Sequence, residues 1–306
     1  MASRRKEPPP MPTVLITGAA GVLGRAIVPL LEQDGAFRLR LTDMAPVETP
    51  HEFLRADLAN WEEAKELCTG VDEVLHVAAI HPWKKYTPQQ YVDCNIKGTC
   101  NLLQAAADAG VKRVIYTSSI AAMGYRYERA EELPFDETRP SRPCEDIYCV
   151  SKHVGEQLCE MFRHRCGLAY VALRPGTFIP RNEADPAWGL SLLTQWLHAS
   201  DVAMAHLLAL RSGVRNEAII ITARVPFTSA DAPALLADAR PVILRYFPRA
   251  RLLEERGIQL PKKIERWYSI AKAERLLGYR PQWSFGDWLE KWENGALPNA
   301  PIRSGG

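Results

Sequence analysis

The chain has 306 residues, 47% hydrophobic and 24% charged, which is typical of a globular protein with one large domain or a domain plus a smaller lobe. A net charge of +2 gives no reason to expect a nucleic acid or a membrane surface as partner. Seven cysteines without a CxxC pair predict neither a disulfide framework nor a metal site. Residues 1–11 are basic and proline-rich without the apolar centre of a signal peptide, so we expect a disordered tail and a cytoplasmic protein.

The first predicted strand, 13–17, runs into the turn T-G-A-A-G-V-L-G and then into a helix with apolar residues at helical spacing. Gly18 permits a tight turn, Gly21 leaves room for phosphates, and Gly24 lets the helix pack closely on the strand. Backbone N–H groups and the positive helix end then surround a pyrophosphate. This pattern predicts a dinucleotide site at Gly18, Gly21, Val22, Leu23 and Gly24.

A second strand, 38–42, ends at Asp43, some twenty residues after the glycines. A carboxylate in that place can accept hydrogen bonds from both adenosine ribose hydroxyls and repels the additional phosphate of NADP. The following Met44 and Ala45 supply no cation that would offset this repulsion. The sequence therefore favours NAD over NADP as the cofactor.

The spacing G-x-x-G-x-x-G resembles the short-chain dehydrogenase/reductase superfamily, and further segments resemble its extended branch, the NAD-dependent epimerase/dehydratase family. The resemblance implies that the Asp57-Leu58 pair lies beside the adenine. It also implies that the H-x-A-A segment with Ala78 and Ala79, at the end of a strand 73–79, passes close to the cofactor. Loops beyond such strand ends bind ligands, so Ile80, His81 and Trp83 are candidate substrate contacts.

A long amphipathic helix is predicted over 91–106, where N-x-x-G-T-x-N-L-L-x-A-A matches the family and places Asn95 near the cofactor and active site. The next strand, 113–119, ends in the hydroxyls of Thr117, Ser118 and Ser119. The segment S-S-x-x-x-x-G resembles that of extended members, in which the second serine is catalytic. This alignment favours Ser119, with Ser118 as its rival and as a cofactor contact.

The helix that begins at Tyr148 and ends near Arg165 places Tyr148 and Lys152 one turn apart on one face. An ordinary phenol, with a pKa near 10, is a poor base at neutral pH. We expect the ammonium group of Lys152, together with the nicotinamide charge, to lower the pKa of Tyr148. Tyr148 could then take a proton from a substrate hydroxyl that Ser119 orients, while Lys152 holds the nicotinamide ribose.

A strand over 169–174 leads into Pro175-Gly176-Thr177-Phe178, which resembles the family's turn beside the nicotinamide. Pro175 and Thr177 are candidate cofactor contacts, and Thr177, Phe178 and Arg181 candidate substrate contacts. The insertion that follows is short and acidic, with no Lys or Arg after Arg181, whereas a pyrophosphate requires such cations. It resembles that of the uronate dehydrogenases, except that Ser191 stands where they carry an arginine for the sugar carboxylate.

We therefore expect an α/β fold with a Rossmann-type doubly wound parallel sheet over 12–178, to which 198–224 returns. A smaller C-terminal substrate-binding lobe would comprise 179–197 and 225–300, with Trp267, Trp283, Trp288 and Trp292 in its core. The favoured function is an NAD-dependent oxidoreductase of a secondary alcohol on a sugar-like small molecule. The alternative is a nucleotide-sugar 4-epimerase or dehydratase with tightly bound NAD, and a cofactor-sensing protein without chemistry is disfavoured by the presence of Tyr148 and Lys152. The resemblance implies a homodimer through the helices within 91–110 and 148–165.

Overall fold

The structure is a computed structural model that describes residues 11–127, 129–143 and 145–297. Its strands are β1 Thr13–Thr17, β2 Arg38–Asp43, β3 Glu52–Arg55, β4 Glu73–His76, β5 Arg113–Thr117, β6 Ala169–Pro175 and β7 Glu217–Ile221. They form a parallel sheet in the order β3-β2-β1-β4-β5-β6-β7. The predicted doubly wound parallel sheet is confirmed.

Helices cover both faces of the sheet. They are α1 Val22–Asp34, α2 Trp61–Cys68, α3 Pro88–Tyr91, α4 Gly98–Asp108, α5 Ile147–Cys166, α6 Pro186–Ser191, α7 Ala199–Arg211, α8 Ala232–Ala237, α9 Ala239–Tyr246, α10 Arg251–Glu255, α11 Ala271–Leu277 and α12 Phe285–Glu293. On one face Ile16 belongs to a core with α1 and α7, whereas its neighbour Leu15 belongs to a core with α2, α4 and α5. Because both faces are covered, β1, β5 and β6 are buried along nearly their whole length.

The predicted helix over 91–106 is interrupted, which corrects the sequence interpretation. α3 is followed by a π-helical turn, Val92–Lys97, before α4 begins at Gly98. A π turn adds one residue per hydrogen bond and is found frequently at functional sites. Here it contains the buried Asn95, which has partners outside the helix.

Strand β4 is shorter than predicted and ends at His76 instead of Ala79. The reason is a side chain of the neighbouring strand: the Thr17 hydroxyl accepts hydrogen bonds from the N–H groups of Val77 and Ala78, both at 3.1 Å. These backbone groups therefore leave the strand ladder and turn toward the glycine-rich turn after β1.

The C-terminal segment shares its core with the sheet. Trp267, Tyr279 and Trp288 are buried in the same apolar cluster as Leu173 of β6 and Ile219 of β7. These C-terminal aromatic side chains and the two strands therefore contribute to one apolar cluster. Residues 1–10 of the predicted tail and 298–300 of the predicted lobe lie outside the described residues. Within the described ranges, no helix combines the length and apolar character needed to cross a membrane.

Candidate active site

The glycine-rich turn lies where the strand order reverses, between β1 and β4, which is the ligand-binding position of doubly wound sheets. Gly18 has a φ of +73°, and a Cβ there would lie 2.7 Å from the backbone nitrogen of Ala78. A Cβ on Gly24 would lie 2.7 Å from the Cα of Ala19. Both positions thus require glycine, one for the turn and one for close helix packing.

The first turn of α1 offers free backbone donors to a ligand. Gly21 is its N-cap residue and supplies no side-chain cap, and the first turn contains no acidic residue. Since the first N–H groups of a helix have no intrahelical acceptor, an anion at this position would satisfy them.

A cleft, here called the glycine cleft, extends from this turn along the ends of β1, β2 and β4. The described residues that line it are Thr17, Gly18, Gly21, Val22, Leu23, Thr42, Asp43, Met44, Ala56, Asp57, Leu58, Val77, Ala78, Ala79, Ile80, His81, Trp83, Cys94, Thr117 and Phe178. Asp43 is held in place because its two oxygens accept hydrogen bonds from the N–H groups of Ala20 and Ala45, at 3.0 and 2.9 Å. Gly24 does not line the cleft, and its role is the helix packing described above.

A buried polar chain fixes the backbone around the cleft. The Thr17 hydroxyl lies 2.9 Å from His76 Nδ1, and His76 Nε2 lies 2.9 Å from the Thr99 hydroxyl. Because Thr99 donates its proton to the Asn95 carbonyl, His76 must donate through Nε2 and accept from Thr17. Burial lowers the pKa of His76 to about 3, so the ring is neutral and structural.

Asn95, predicted as a cofactor contact, supports the backbone beside the glycine cleft. Its side chain accepts a hydrogen bond from the N–H of Ile80 at 2.9 Å and donates to the carbonyl of Ile80 at 3.1 Å. It also donates to Ser151, whose hydroxyl donates to the carbonyl of Tyr148. Asn95 therefore ties the loop after β4 to the first turn of α5 and does not line the cleft.

A second cavity, here called the tyrosine cavity, adjoins the glycine cleft. The described residues that line it are His81, Pro82, Trp83, Thr117, Ser118, Ser119, Ile120, Tyr125, Asp146, Tyr148, Cys149, Pro175, Gly176, Thr177 and Phe178. His81, Trp83, Thr117 and Phe178 line both spaces, so the two are continuous. A ligand in the glycine cleft can thus meet a second ligand in the tyrosine cavity.

The structure separates the roles of the two serines after β5. The Ser118 hydroxyl donates to Glu156 at 2.5 Å, and Glu156 also holds Arg174 in a buried bidentate ion pair. The Ser119 hydroxyl instead accepts a hydrogen bond from the N–H of Ala121, and Ser119 lines the tyrosine cavity together with Tyr148, whose pKa it lowers. Ser119 therefore faces the phenol, whereas Ser118 is bound to a buried carboxylate.

The pKa of Tyr148 differs from the sequence expectation. Burial raises it above the ordinary value of a phenol, and the hydrogen bond from Ser119 offsets only part of that effect. Lys152 directs its ammonium group to the carbonyl of Thr117 at 2.8 Å and lies over the ring of Tyr116 at 5.2 Å. Without a ligand, the chain therefore keeps Tyr148 protonated at neutral pH, and burial lowers the pKa of Lys152 to about 8.

Comparison with known proteins identifies the family. The model of the NAD dependent epimerase/dehydratase family matches residues 14–187. The chain belongs to this family. It is 32% identical to the uronate dehydrogenase of Pseudomonas syringae pv. tomato over 206 residues, 66% of this chain and 70% of that one. For the uronate dehydrogenase of Pseudomonas putida the identity is 32% over 197 residues, 63% and 69% of the two chains. The fold matches a short-chain dehydrogenase/reductase superfamily protein of Agrobacterium tumefaciens with bound NAD, with TM-score 0.70, 22% identity and coverage of 92% and 96%.

The protein is thus an enzyme of the NAD-dependent epimerase/dehydratase family, and the glycine cleft fits its cofactor. The free N–H groups of α1 suit a pyrophosphate, and Asp43 suits ribose hydroxyls. The buried Thr42 hydroxyl, which lines the cleft, has no hydrogen-bond partner within the described part of the chain. A bound polar ligand would satisfy it.

Several lining residues were missed in the sequence, and four predicted site residues, Gly24, Asn95, Lys152 and Arg181, line neither space. Thr17, Thr42 and Cys94 in the glycine cleft, and Tyr125 and Asp146 in the tyrosine cavity, were not predicted. Position alone offered a signal for two of them, since Thr17 and Thr42 stand at or next to strand ends. Lys152 donates a hydrogen bond to the carbonyl of Thr117 and lines neither the glycine cleft nor the tyrosine cavity.

Arg181 departs furthest from its prediction as a substrate contact. Its guanidinium lies 4.1 Å from the ring centroid of Trp196, and the side chain is exposed. It lines neither the glycine cleft nor the tyrosine cavity. Pro175 and Thr177 line the tyrosine cavity instead of the glycine cleft, at the place where the two spaces join.

Proposed function

We propose that this enzyme transfers hydride between a secondary alcohol of a sugar-like small molecule and NAD, with Ser119, Tyr148 and Lys152 as its catalytic residues. The observation that carries the proposal is the placement of Ser119 and Tyr148 together on the wall of a cavity that shares lining residues with the glycine cleft. The uronate dehydrogenases among its relatives, which share about two thirds of the chain, support a sugar-like substrate.

Ser119 and Tyr148 act on the reacting hydroxyl. Ser119 donates a hydrogen bond that orients the substrate oxygen, and Tyr148 exchanges a proton with that same oxygen. NAD, when bound, accepts the hydride and brings a positive nicotinamide charge to the site. Because burial raises the pKa of Tyr148, the chain by itself prepares a phenol that donates a proton during carbonyl reduction. Alcohol oxidation requires the phenolate, which added positive charge favours.

Lys152 supplies the fixed positive charge behind this pair. Its ammonium group donates to the carbonyl of Thr117, the last residue of β5, and is fully buried. From there it also disfavours protonation of His81, whose pKa burial and this charge together lower to about 3. The site thus combines one buried cation with a neutral imidazole beside the phenol.

A nucleotide-sugar 4-epimerase or dehydratase that re-uses its NADH internally is the second candidate. The family name supports it, since the family includes epimerases and dehydratases. A nucleoside diphosphate, however, requires several cations, and the insertion 179–197 contains only Arg181. Because Arg181 stacks on Trp196 outside the cavity, we place the dehydrogenase first.

NADH absorbance with purified protein, NAD, free sugars, polyols and uronic acids tests the proposal. Net NADH formation that disappears in Tyr148→Phe is the expected result. If no compound yields NADH, while NAD co-purifies with the protein and a nucleotide sugar is converted without net NADH formation, the epimerase is established instead.

We further propose that the enzyme is a cytoplasmic homodimer that pairs through the helices within 91–110 and 148–165. Exposed apolar side chains on this surface, Val92 at 37% and Met161 at 39%, support this arrangement. Light scattering should give twice the chain mass for the native protein and a monomer for Met161→Glu. A native monomer at micromolar concentration would refute it.

A further inference from the structure

The tyrosine cavity has an unusual charge for a family with uronate-binding relatives. Among the described residues that line it there is no lysine or arginine. The ionisable groups that remain include Asp146, which accepts a hydrogen bond from the N–H of Cys149 as the N-cap of α5, and His81, which is neutral at physiological pH. An anionic substrate group would therefore lie near a carboxylate, with no cation among the described lining residues to pair with it.

The cationic side chains near the cavity interact with other groups of the protein. Arg174 forms its ion pair with Glu156, Lys152 donates to the Thr117 carbonyl, and Arg181 stacks on Trp196. Lys84 and Lys85 follow Trp83 in the same loop, but both side chains are exposed and neither lines the cavity.

Ser191, at the end of α6, supplies no charge to the cavity. Its hydroxyl donates to the carbonyl of Trp188 at 2.6 Å. Its only side-chain donor is thus used within its own helix, and Ser191 does not line the cavity.

The wall of the cavity is aromatic. Trp83 stacks on His81 with a centroid distance of 5.0 Å and an interplanar angle of 19°, and His81 lies 5.3 Å from the ring of Tyr148. Phe178 meets Trp83 edge-on at 6.2 Å. Trp83 is nevertheless 44% exposed, so part of its indole remains free to contact a ligand beside the reacting phenol.

Given the proposed dehydrogenase function, on which this inference rests, we propose that the substrate is an uncharged cyclic hydroxyl compound whose apolar ring face stacks on Trp83. Ring C–H groups pack on the indole, while the reacting hydroxyl reaches Ser119 and Tyr148. Pockets that combine an apolar wall with a few placed polar groups recognise such ligands by shape and hydrogen bonding. Among the described residues of the cavity wall there is no cation to pair with the carboxylate of a uronate, which disfavours that substrate.

Matched substrate pairs that differ in one carboxylate test the charge. NADH formation is measured with D-galactose and D-galacturonate, with D-glucose and D-glucuronate, and with myo-inositol as a neutral cyclic polyol. At least one neutral compound should exceed every uronate in kcat/KM by about tenfold or more. A uronate that equals or exceeds all neutral compounds would overturn the inference and leave the dehydrogenase function intact.

Variants of one loop test the stacking. Trp83→Ala should raise KM for the neutral substrate about tenfold with a smaller change in kcat, Trp83→Phe should restore most of the affinity, and Lys85→Ala should match the wild type. NAD affinity is measured in each variant, because Trp83 also lines the glycine cleft. An unchanged KM in Trp83→Ala, or uronate turnover that is lost in Arg181→Ala, would contradict the proposal.

Binding separates this inference from the dehydrogenase proposal. If no compound reduces NAD, the proposed function fails, and calorimetric titration of the NAD complex with the same compounds decides the substrate class. Tighter binding of a neutral compound than of its uronate, weakened in Trp83→Ala, supports the inference. Tighter binding of the uronate, or no binding of any neutral compound, overturns it.

Discussion

We expect the buried charge of Lys152 to support catalysis and to lower the free energy of unfolding. Its side chain is fully buried, and burial lowers its pKa from 10.5 to about 8. At about 1.4 kcal/mol per pKa unit, the charged form is disfavoured in the folded state by about 3 kcal/mol. Lys152→Met keeps a similar apolar volume and removes this charge, but it loses the hydrogen bond to Thr117, which contributes about 1 kcal/mol. The variant should therefore be inactive and more stable by about 2 kcal/mol.

The stability advantage of Lys152→Met over the wild type should decrease as the pH rises. Below pH 8, Lys152 carries its proton in both the folded and unfolded states, so the full cost is present. Between pH 8 and about 10.5 the unfolded state binds more protons than the folded state, and the stability of the wild type rises relative to Lys152→Met. The advantage of the variant should thus shrink across this window.

Urea unfolding of both NAD-free proteins at pH 7 and pH 10 measures the difference. Because the other titratable groups are common to both chains, their contributions cancel when the proteins are compared. Lys152→Arg, which keeps a charge in the same place, is the matched control and should not be stabilised. A Lys152→Met variant that is less stable than the wild type at pH 7, or whose advantage is the same at both pH values, would refute the argument.

Four further results are expected. Tyr148→Phe should lower kcat at least about a hundredfold while NAD binding stays within about twofold, as general acid–base catalysis requires; full activity would remove Tyr148 from the mechanism. Asp43→Ala should weaken the binding of NAD and reduce the preference of the enzyme for NAD over NADP. The reason is that Arg55 remains beside the ribose position, where its guanidinium donates to the carbonyl of Met44. KM values measured for NAD and for NADP test this expectation. Ser119→Ala should lower kcat with little change in melting temperature, whereas Ser118→Ala should lower the melting temperature by leaving Glu156 with one fewer donor; the reverse pattern would exchange their roles. The kcat/KM of alcohol oxidation should rise with pH above 7, since burial raises the pKa of Tyr148 and oxidation needs the phenolate; a flat profile would contradict this assignment.

The sequence by itself determined the parallel sheet, the family and the cofactor. Local patterns suffice for these features, because each depends on residues close together in the chain. The turn at Gly18 requires a positive φ, the apolar strands require burial on both faces, and Asp43 is the last residue of β2. Glycine spacing and strand composition therefore predict these features without information about contacts between distant segments.

The partners of the site side chains and the pKa of Tyr148 follow only from the tertiary structure. Ser118 and Ser119 are adjacent in sequence, and only the position of α5 shows that Ser118 donates to Glu156 while Ser119 lines the tyrosine cavity with Tyr148. The pKa of Tyr148 is raised although its lysine lies one helical turn away, because burial of the phenol outweighs a charge that points at Thr117. Hydrogen bonds and desolvation depend on distances between remote segments, and a linear pattern does not contain those distances.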